Sequence, residues 1–264
     1  MLATLHYITA ALYLGACLGA VAGLVLRRAR VLRVGVALLA VGATAHAVSF
    51  TALHAAEAPP PLTDLPSAMS FMAWIGVLGF FVLARRRRLS GLVVLVAPAA
   101  FLGVFAEATG IPGYTDDSGL GSGSLPHAHV VLAGAGVALL GVSGLAGILF
   151  LAEHRRLKTK RPLGSGSPLP SLEALDRAGA LSLAAGFPLL SLGVLAGAFW
   201  LQSATGAPWS GSAHEIWCLV AWSLYAVLAS LRFGARWPAR QCALSAVVSF
   251  AVLTSSVVGV GLLT

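Results

Sequence analysis

Eight long apolar runs, separated by short stretches rich in Arg, Gly, Pro and Ser, dominate the pattern of the chain. A helix needs about 20 residues to cross a bilayer, and the alternating short strands of a membrane barrel are not visible. We predict an all-α, polytopic membrane helical bundle of about eight transmembrane helices, forming a single transmembrane domain over residues 1–264. The predicted helices are 5–26, 34–53, 68–84, 89–105, 130–152, 178–201, 216–231 and 242–263.

Composition strengthens this prediction. Apolar residues make up 58% of the chain and charged residues 10%, whereas a soluble domain carries about 25% charged residues. A soluble domain and a disordered chain are therefore both excluded. The net charge of +8 would be typical of nucleic-acid binding in a soluble protein. Here the charges lie between apolar runs, so we expect the lipid bilayer, and no nucleic acid, as the partner.

The position of the basic residues predicts the topology. All 17 Lys and Arg residues fall in the connections after the first, third, fifth and seventh runs. Eight crossings place them on one side, which the positive-inside rule makes cytoplasmic. Both termini are then outside, in a multi-pass protein of a bacterial-type cytoplasmic (inner) membrane. The connections 55–66, 106–126 and 202–215 become external loops, and 153–177 a cytoplasmic linker.

Four local signals refine the helices. Pro98 and Pro188 predict kinks inside the fourth and sixth helices. Gly193 and Gly197 form a G-x-x-x-G face, which favours close helix packing. Ser171 is a candidate cap for a short amphipathic helix ahead of the sixth crossing. The first residues carry no positive charge, so we expect no cleaved signal peptide.

Histidine is the first candidate for chemistry, because six of the seven histidines fall in the predicted outer half. Imidazole can bind haem iron, move protons or ligate zinc. His46 lies inside the second helix, where an ionisable group is a functional candidate by default. His54 lies near a helix end, where an interfacial role is the alternative. His154 lies in a basic run, and we expect it to be a solvated surface residue.

Four tryptophans surround the last external connection: Trp200, Trp209, Trp217 and Trp222. They fit either an aromatic belt at the interface or a flat apolar platform for a porphyrin beside His214 and Glu215. The three cysteines are isolated, without a C-x-x-C or C-x-x-C-H motif. They are expected to be small apolar residues rather than a redox or covalent haem site.

The chain resembles the integral-membrane cytochrome c assembly proteins of the CcsA-like and HemX-like type. The resemblance is strongest over 171–232, through SLEALD at 171–176, GFPLLSLG at 186–193, GAFW at 197–200 and EIWCLVAWSLY at 215–225. SFMAW at 70–74, His129–Val130 and LAEHRRLK at 151–158 extend it in the expected order. From residue 70 to residue 232, these stretches span more than half of the chain.

The resemblance implies that the protein binds non-covalent, b-type haem and presents it at the outer face for attachment to apocytochrome c, together with a second membrane assembly protein. His129 matches the family's external histidine before a tryptophan-rich loop. Trp209, Trp217 and Glu215 match residues of that loop. His214 is a candidate second ligand of the haem iron. The expected haem-binding residues are thus His129, His214, Trp200, Trp209, Trp217 and Glu215, with His46 and His54 as an inner site.

The same loop carries an alternative. Gly211, Ser212 and Ala213 stand where the family has Trp, Asp and Pro. These differences favour a HemX-like membrane regulator or scaffold of tetrapyrrole synthesis that has lost haem delivery. No nucleophile or acid–base pair is visible, so a carrier is expected rather than an enzyme. A transporter is disfavoured because no internal repeat is visible.

Overall fold

The structure is a computed structural model. It describes residues 2–56, 65–85, 89–109, 124–159 and 169–263, with side chains at 4–52, 66–85, 89–109, 125–159 and 169–256. The predicted external loops 55–66 and 106–126 lie largely outside the described residues, as does most of the linker. The connection at 202–215 is described throughout.

Eight α-helices follow one another, and no strand occurs in the described ranges. Seven of them, α1 to α7, are long and apolar enough to cross a membrane, which confirms the predicted polytopic helical bundle. A short 3₁₀ turn, Ser90–Leu92, precedes α4, and a π segment, Ser230–Gly234, ends α7. The helices are α1 Leu2–Val25, α2 Ala29–Ala56, α3 Leu65–Ala84, α4 Val93–Ala108, α5 Ser124–Lys158, α6 Leu172–Thr205, α7 Ala213–Ala229 and α8 Ala239–Leu263.

The helix ends correct two predictions. The linker predicted at 153–177 is shorter, because α5 continues to Lys158 and α6 begins at Leu172. Charged residues end an apolar run but not a helix, and basic side chains are favourable in a last turn. Ser171 is an N-cap, as predicted, and its Oγ accepts a hydrogen bond from Ala174 N at 3.2 Å. The helix it starts is α6 itself, 34 residues long, and not a separate amphipathic helix.

The bundle consists of two groups of helices joined through α5. In the first, α1 packs on α2 and α4, and α3 packs on α4. In the second, α5 packs on α6 and α8, and α7 packs on α8. Contacts between α3 and α5 join the groups, and α5 contributes residues to both apolar cores. Its central position makes α5 the helix that other elements are positioned against.

Glycine allows α6 to approach α5 closely. A Cβ atom at Gly193 would lie 2.5 Å from Ala133 N, and one at Gly136 would lie 2.5 Å from Leu190 N. Only a residue without a side chain fits such contacts. The G-x-x-x-G face predicted from Gly193 and Gly197 therefore packs on α5, as expected.

Candidate functional site

One end of the second group of helices carries the 206–212 loop, which joins α6 to α7. The positive-inside rule predicts that this end faces outward. His129 lies there, in the second turn of α5. Its Nδ1 is 2.8 Å from Gly193 O on α6, within hydrogen-bond distance. With the proton on Nδ1, that nitrogen donates to the carbonyl and Nε2 carries the lone pair. This is the arrangement of an imidazole ready to ligate a metal through Nε2.

The G-x-x-x-G face creates the space that this imidazole occupies. A Cβ atom at Gly197 would lie 2.7 Å from His129 Nδ1, so an alanine there would displace the ring. Trp200, one turn further along α6, lies beside the same ring with the centroids 6.3 Å apart. Two glycines and one tryptophan of α6 thus fix the position of His129.

The 206–212 loop is held by hydrogen bonds of its own. Gly206 ends α6 with a φ of 81°, in the left-handed region that favours glycine. Ser212 caps α7, and its Oγ accepts from Glu215 N at 3.3 Å. The Glu215 carboxylate in turn accepts from Ser210 N and Gly211 N, both at 2.9 Å, and from Ser210 Oγ at 2.7 Å. Glu215 therefore orders the loop, and its charge is satisfied by the chain itself.

Gly211 explains the departure of this loop from the family pattern. Its φ is 76°, a conformation that is strained for any residue with a side chain. A tryptophan at this position would require a different path of the backbone. The replaced positions therefore form a turn with its own geometry, in which Gly211 makes the bend and Ser212 is the cap.

His214 and Cys218 lie on one face of α7, one helical turn apart. His214 is exposed, Cys218 is half-buried, and Cys218 Sγ is 3.5 Å from His214 Nε2. His129 lies in the second turn of α5 and His214 in the first turn of α7, and both helices begin at this end of the bundle. The two predicted iron ligands therefore belong to the same end of the bundle. Cys218, expected to be only a small apolar residue, has an imidazole partner, and the spacing His-x-x-x-Cys on a helix was the signal for it.

The tryptophans divide into two sets. Trp209 and Trp217 are exposed by 44% and 47%, at the loop and the second turn of α7. Trp222 lies deeper in α7, where its Nε1 donates to Ser191 Oγ at 2.9 Å and its ring packs on Phe187. Trp200, Trp209 and Trp217 are thus candidates for a ligand platform, whereas Trp222 is a packing residue between α6 and α7.

His46, a candidate for an inner site, is fully buried in the first group of helices. Its Nδ1 is 3.2 Å from the Tyr13 hydroxyl and its Nε2 is 2.9 Å from Ser70 Oγ. The ring stacks on Phe50 with the centroids 4.9 Å apart. Both nitrogens are engaged within the chain, so ligand binding here would require Ser70 or Tyr13 to move. The side chain of His54 lies outside the described residues.

Two other histidines have partners that the sequence did not reveal. His6 Nε2 lies 3.5 Å from Glu107 Oε2, which links α1 to α4. His154 is half-buried and stacks on Phe150 with the centroids 6.0 Å apart, so the prediction of a solvated surface residue is wrong. The spacing of one helical turn between Phe150 and His154 was the signal for this stacking.

The opposite end of the second group holds an ion pair. Arg232 lies in the π segment and donates to both carboxylate oxygens of Asp176 on α6, at 2.7 and 2.6 Å. The pair borders a small cavity between α5, α6, α7 and α8. A bidentate pair is among the stronger ionic contacts. It joins the start of α6 to the end of α7, and nothing in the sequence pattern paired these two residues.

The described residues contain no group of three His, Cys, Asp or Glu side chains that could hold a metal ion alone. Haem makes a smaller demand on the protein, because the porphyrin supplies four nitrogens and the chain supplies one or two axial ligands and an apolar surface. His129, with its Nδ1 at Gly193 O, and Trp200 beside its ring are residues of the type that haem would need, and His214 lies at the same end of the bundle.

The chain is a multi-pass helical membrane protein with a candidate ligand site at one end of its second group of helices. It belongs to the cytochrome c assembly protein family, whose model, described as "Cytochrome C assembly protein", matches residues 62–264. The match includes α3 to α8 with His129 and the 206–212 loop. Helices α1 and α2, which carry Tyr13 and His46, precede it.

Three curated relatives have the name "Cytochrome c biogenesis protein CcsA". One from Thermosynechococcus vestitus is 40% identical over 91 residues, which is 34% of this chain and 28% of the relative. One from Prochlorococcus marinus (strain MIT 9215) is 25% identical over 229 residues, 77% of this chain and 73% of the relative. One from Synechocystis sp. is 35% identical over 128 residues, 48% of this chain and 37% of the relative. The predicted family is confirmed.

Proposed function

We propose that this protein is a haem-handling component of cytochrome c biogenesis, which binds haem at the outer face of the cytoplasmic membrane and presents it to apocytochrome c. The observation that carries the proposal is the orientation of His129. The contact between its Nδ1 and Gly193 O, at 2.8 Å, leaves Nε2 for a ligand at the end of the bundle where the 206–212 loop lies. The names of the relatives support the same biological process.

Each residue of the site has a task in this proposal. Bound haem supplies the iron and the vinyl groups that react with the thiols of the acceptor. His129 Nε2 would hold the haem iron, and His214 is a candidate for a second donor. Trp200, Trp209 and Trp217 provide apolar contact area for the porphyrin. Glu215 holds the loop rigid through its three hydrogen bonds.

The protein binds and positions the cofactor, and it supplies no nucleophile or acid–base pair of its own in this proposal. The partners in this proposal are haem, the apocytochrome and a second membrane assembly protein that handles the apocytochrome. The orientation follows from the 17 basic residues on one side. This orientation supports a site on the outer side of the membrane, because His129 and the 206–212 loop would then face outward.

A second candidate function is a HemX-like regulator or scaffold without haem delivery. It is favoured by the 206–212 loop. Gly211, with a φ of 76°, stands where the family has Trp, and the helix cap Ser212 stands where the family has Asp. One tryptophan of the platform is therefore missing. The two candidates differ in one measurable property, which is whether the purified protein is coloured.

The test is the absorption spectrum of detergent-purified protein from haem-replete cells. We expect a Soret band in the wild type and a loss of most of the bound haem in His129→Ala. His154→Ala is the matched control, because it removes an imidazole from the same helix about 37 Å away. Colourless wild-type protein would support the regulator instead. Equal loss of haem in both variants would point to general destabilisation and contradict the assignment of the site.

A further inference from the structure

The outer half of the first group of helices buries three titratable side chains. His6 lies in the second turn of α1, His46 on α2 and Glu107 in the last turn of α4. His6 is 7% exposed and His46 0%, and the side chain of Glu107 is 10% exposed. Ionisable groups at this depth are costly in a membrane and mark binding sites or proton pathways. Their partners decide which of these roles applies.

His6 and Glu107 join α1 to α4. The atoms His6 Nε2 and Glu107 Oε2 are 3.5 Å apart. Ser67 of α3 donates a hydrogen bond to the second carboxylate oxygen, Oε1, at 3.3 Å. An imidazole and a carboxylate this close titrate as a pair. One proton, held by either member, leaves the pair without net charge, which is the form that an apolar environment favours.

The surroundings of His46 suit both of its protonation states. Its Nδ1 is 3.2 Å from the Tyr13 hydroxyl and its Nε2 is 2.9 Å from Ser70 Oγ. A hydroxyl can donate and accept hydrogen bonds. A neutral imidazole therefore accepts from one hydroxyl and donates to the other, whereas an imidazolium donates to both. His46 can gain a proton without losing a partner.

Helix α3 connects these two sets of contacts. Ser67 binds the Glu107 carboxylate. Ser70, three residues further along the helix, binds the His46 imidazole. The two serines are 6% and 0% exposed, and their backbone positions differ by about 4.5 Å along the helix axis. The carboxylate and the imidazole are therefore bonded to hydroxyls on successive turns of one helix.

Two more buried hydroxyls lie between the two sets of contacts. On α1, Thr9 lies between His6 and Tyr13. On α2, Ser49 lies three residues beyond His46, toward the outer side. Both are 0% exposed, and each donates to a carbonyl of its own helix, at 2.9 and 3.1 Å, which leaves its oxygen able to accept. In the described parts of α1 to α4, all buried polar residues belong to this region.

The polar region ends at Tyr13. Toward the cytoplasmic side, the buried residues of α1 and α2 include Ala16, Ala20, Leu32 and Leu39. These side chains have no group that could carry a proton. Within the described residues, the polar region of the first group therefore does not continue to the cytoplasmic side.

Few other titratable groups lie on the helices that pack here. Tyr7 of α1 is 54% exposed, Cys17 lies further inward, and α3 contains none. Helix α5, which packs on α3, brings His127 and His129 to the same side of the bundle, and His129 contacts α6. Among the described residues of α1 to α4, Glu107 is the one acid. It is therefore the group that can balance the charge of a protonated histidine here.

We propose that His6, Glu107 and His46 form a proton-binding site that holds one proton in exchange with the outer side of the membrane. The site does not depend on haem, and both histidines precede residues 62–264, which match the family. The proton enters at His6, passes to the Glu107 carboxylate and reaches His46 through the serine hydroxyls of α3. Each transfer breaks one N–H or O–H bond and forms another, and no electron is exchanged. On His46, the positive charge is balanced by the ionised Glu107.

Such a site responds to the outer pH and does not conduct protons across the membrane, because the polar region ends at Tyr13. The position of the proton also decides which helices are held together. On His6, it completes the ion pair between α1 and α4. On His46, it strengthens the hydrogen bonds that join α2 to α1 and α3, since charged donors bind more strongly.

The experiment follows the proton itself. Protein with isotope-labelled histidine nitrogens is titrated in detergent, where the nitrogen chemical shifts distinguish the two neutral tautomers from the imidazolium. Infrared difference spectra over the same pH range follow the carboxyl band of protonated Glu107. The variants are His46→Gln, Glu107→Gln and Glu107→Asp. His154→Gln is the matched control, because it removes an imidazole that stacks on Phe150 at the opposite end of the bundle.

We expect the His46 signals and the Glu107 band to change over one common pH range, because the groups share a proton. In Glu107→Gln, His46 should stay neutral throughout, and Glu107→Asp should restore its titration. In His46→Gln, the Glu107 band should change at a different pH, whereas His154→Gln should change neither signal. In sealed vesicles of known orientation, acid added on the outer side alone should produce both changes.

Three results would overturn the proposal. If wild-type His46 stays neutral in one tautomer at every pH, its contacts are interhelical hydrogen bonds only. If His46 titrates unchanged in Glu107→Gln, the two groups do not share a proton. If the changes follow only the inner pH, the exchange is not with the outer side. The wild-type titration decides the first result whether or not the variants fold, and none of these results bears on haem binding.

Discussion

Gly193→Ala tests the link between helix packing and the orientation of His129. The added methyl carbon would lie 2.5 Å from Ala133 N and 2.7 Å from its Cα atom. Both are backbone atoms, so no side chain can move aside. Ordinary contacts begin near 3.4 Å, so α5 and α6 must separate by about 0.9 Å at this point.

The magnitude follows from that displacement. The contact from His129 Nδ1 to Gly193 O, 2.8 Å in the wild type, would lengthen to about 3.7 Å and no longer be a hydrogen bond. Overpacking costs about 1–3 kcal/mol, and loss of the bond adds about 1 kcal/mol. The higher helix propensity of alanine returns up to about 1 kcal/mol. We expect a net destabilisation of about 1–3 kcal/mol and roughly fivefold weaker haem retention.

Gly179→Ala is the matched control. Gly179 also lies on α6 and packs on α5, and its carbonyl accepts a hydrogen bond from Ser143 Oγ at 3.0 Å. An added Cβ there would meet Ser143 Oγ at 3.7 Å, an ordinary contact. The assays are the unfolding temperature in detergent and the haem bound per protein. If both variants lose stability and haem equally, the close approach at Gly193 does not position His129, and the reasoning is refuted.

Three further predictions concern the loop, the ion pair and the topology. Glu215→Ala removes the acceptor of three loop hydrogen bonds, so the amides of Ser210 and Gly211 should exchange with deuterium faster, while exchange in α5 stays unchanged. Arg232→Lys loses the bidentate contact to Asp176 and should destabilise the protein by about 2 kcal/mol, measured by unfolding in detergent. Arg236→Lys, at an exposed position, is the control. An equal loss of stability in both variants would contradict a stabilising role of the ion pair. A reporter fused after Thr264 should be active on the outer side and one inserted at Arg85 on the cytoplasmic side; cytoplasmic activity at Thr264 would overturn the topology.

The sequence determined the elements of this protein, because their causes are local. Apolar runs of membrane-spanning length predicted eight helices, and each occurs in the structure. Ser171 as a helix cap and the small-residue face of Gly193 and Gly197 could also be predicted, since both depend on neighbours in the same helix. The ends of α5 and α6 could not, because good helix formers continue a helix beyond its apolar part.

The tertiary structure alone decided what each polar residue does. His46 and His129 are both histidines within predicted helices, but His46 has partners at both nitrogens and His129 has its contact at Nδ1. Trp222 donates to Ser191 and Arg232 to Asp176 only because α7 packs beside α6. Such relations join residues tens of positions apart. They depend on how helices pack, and hydrophobic periodicity carries no information about which side chains then meet.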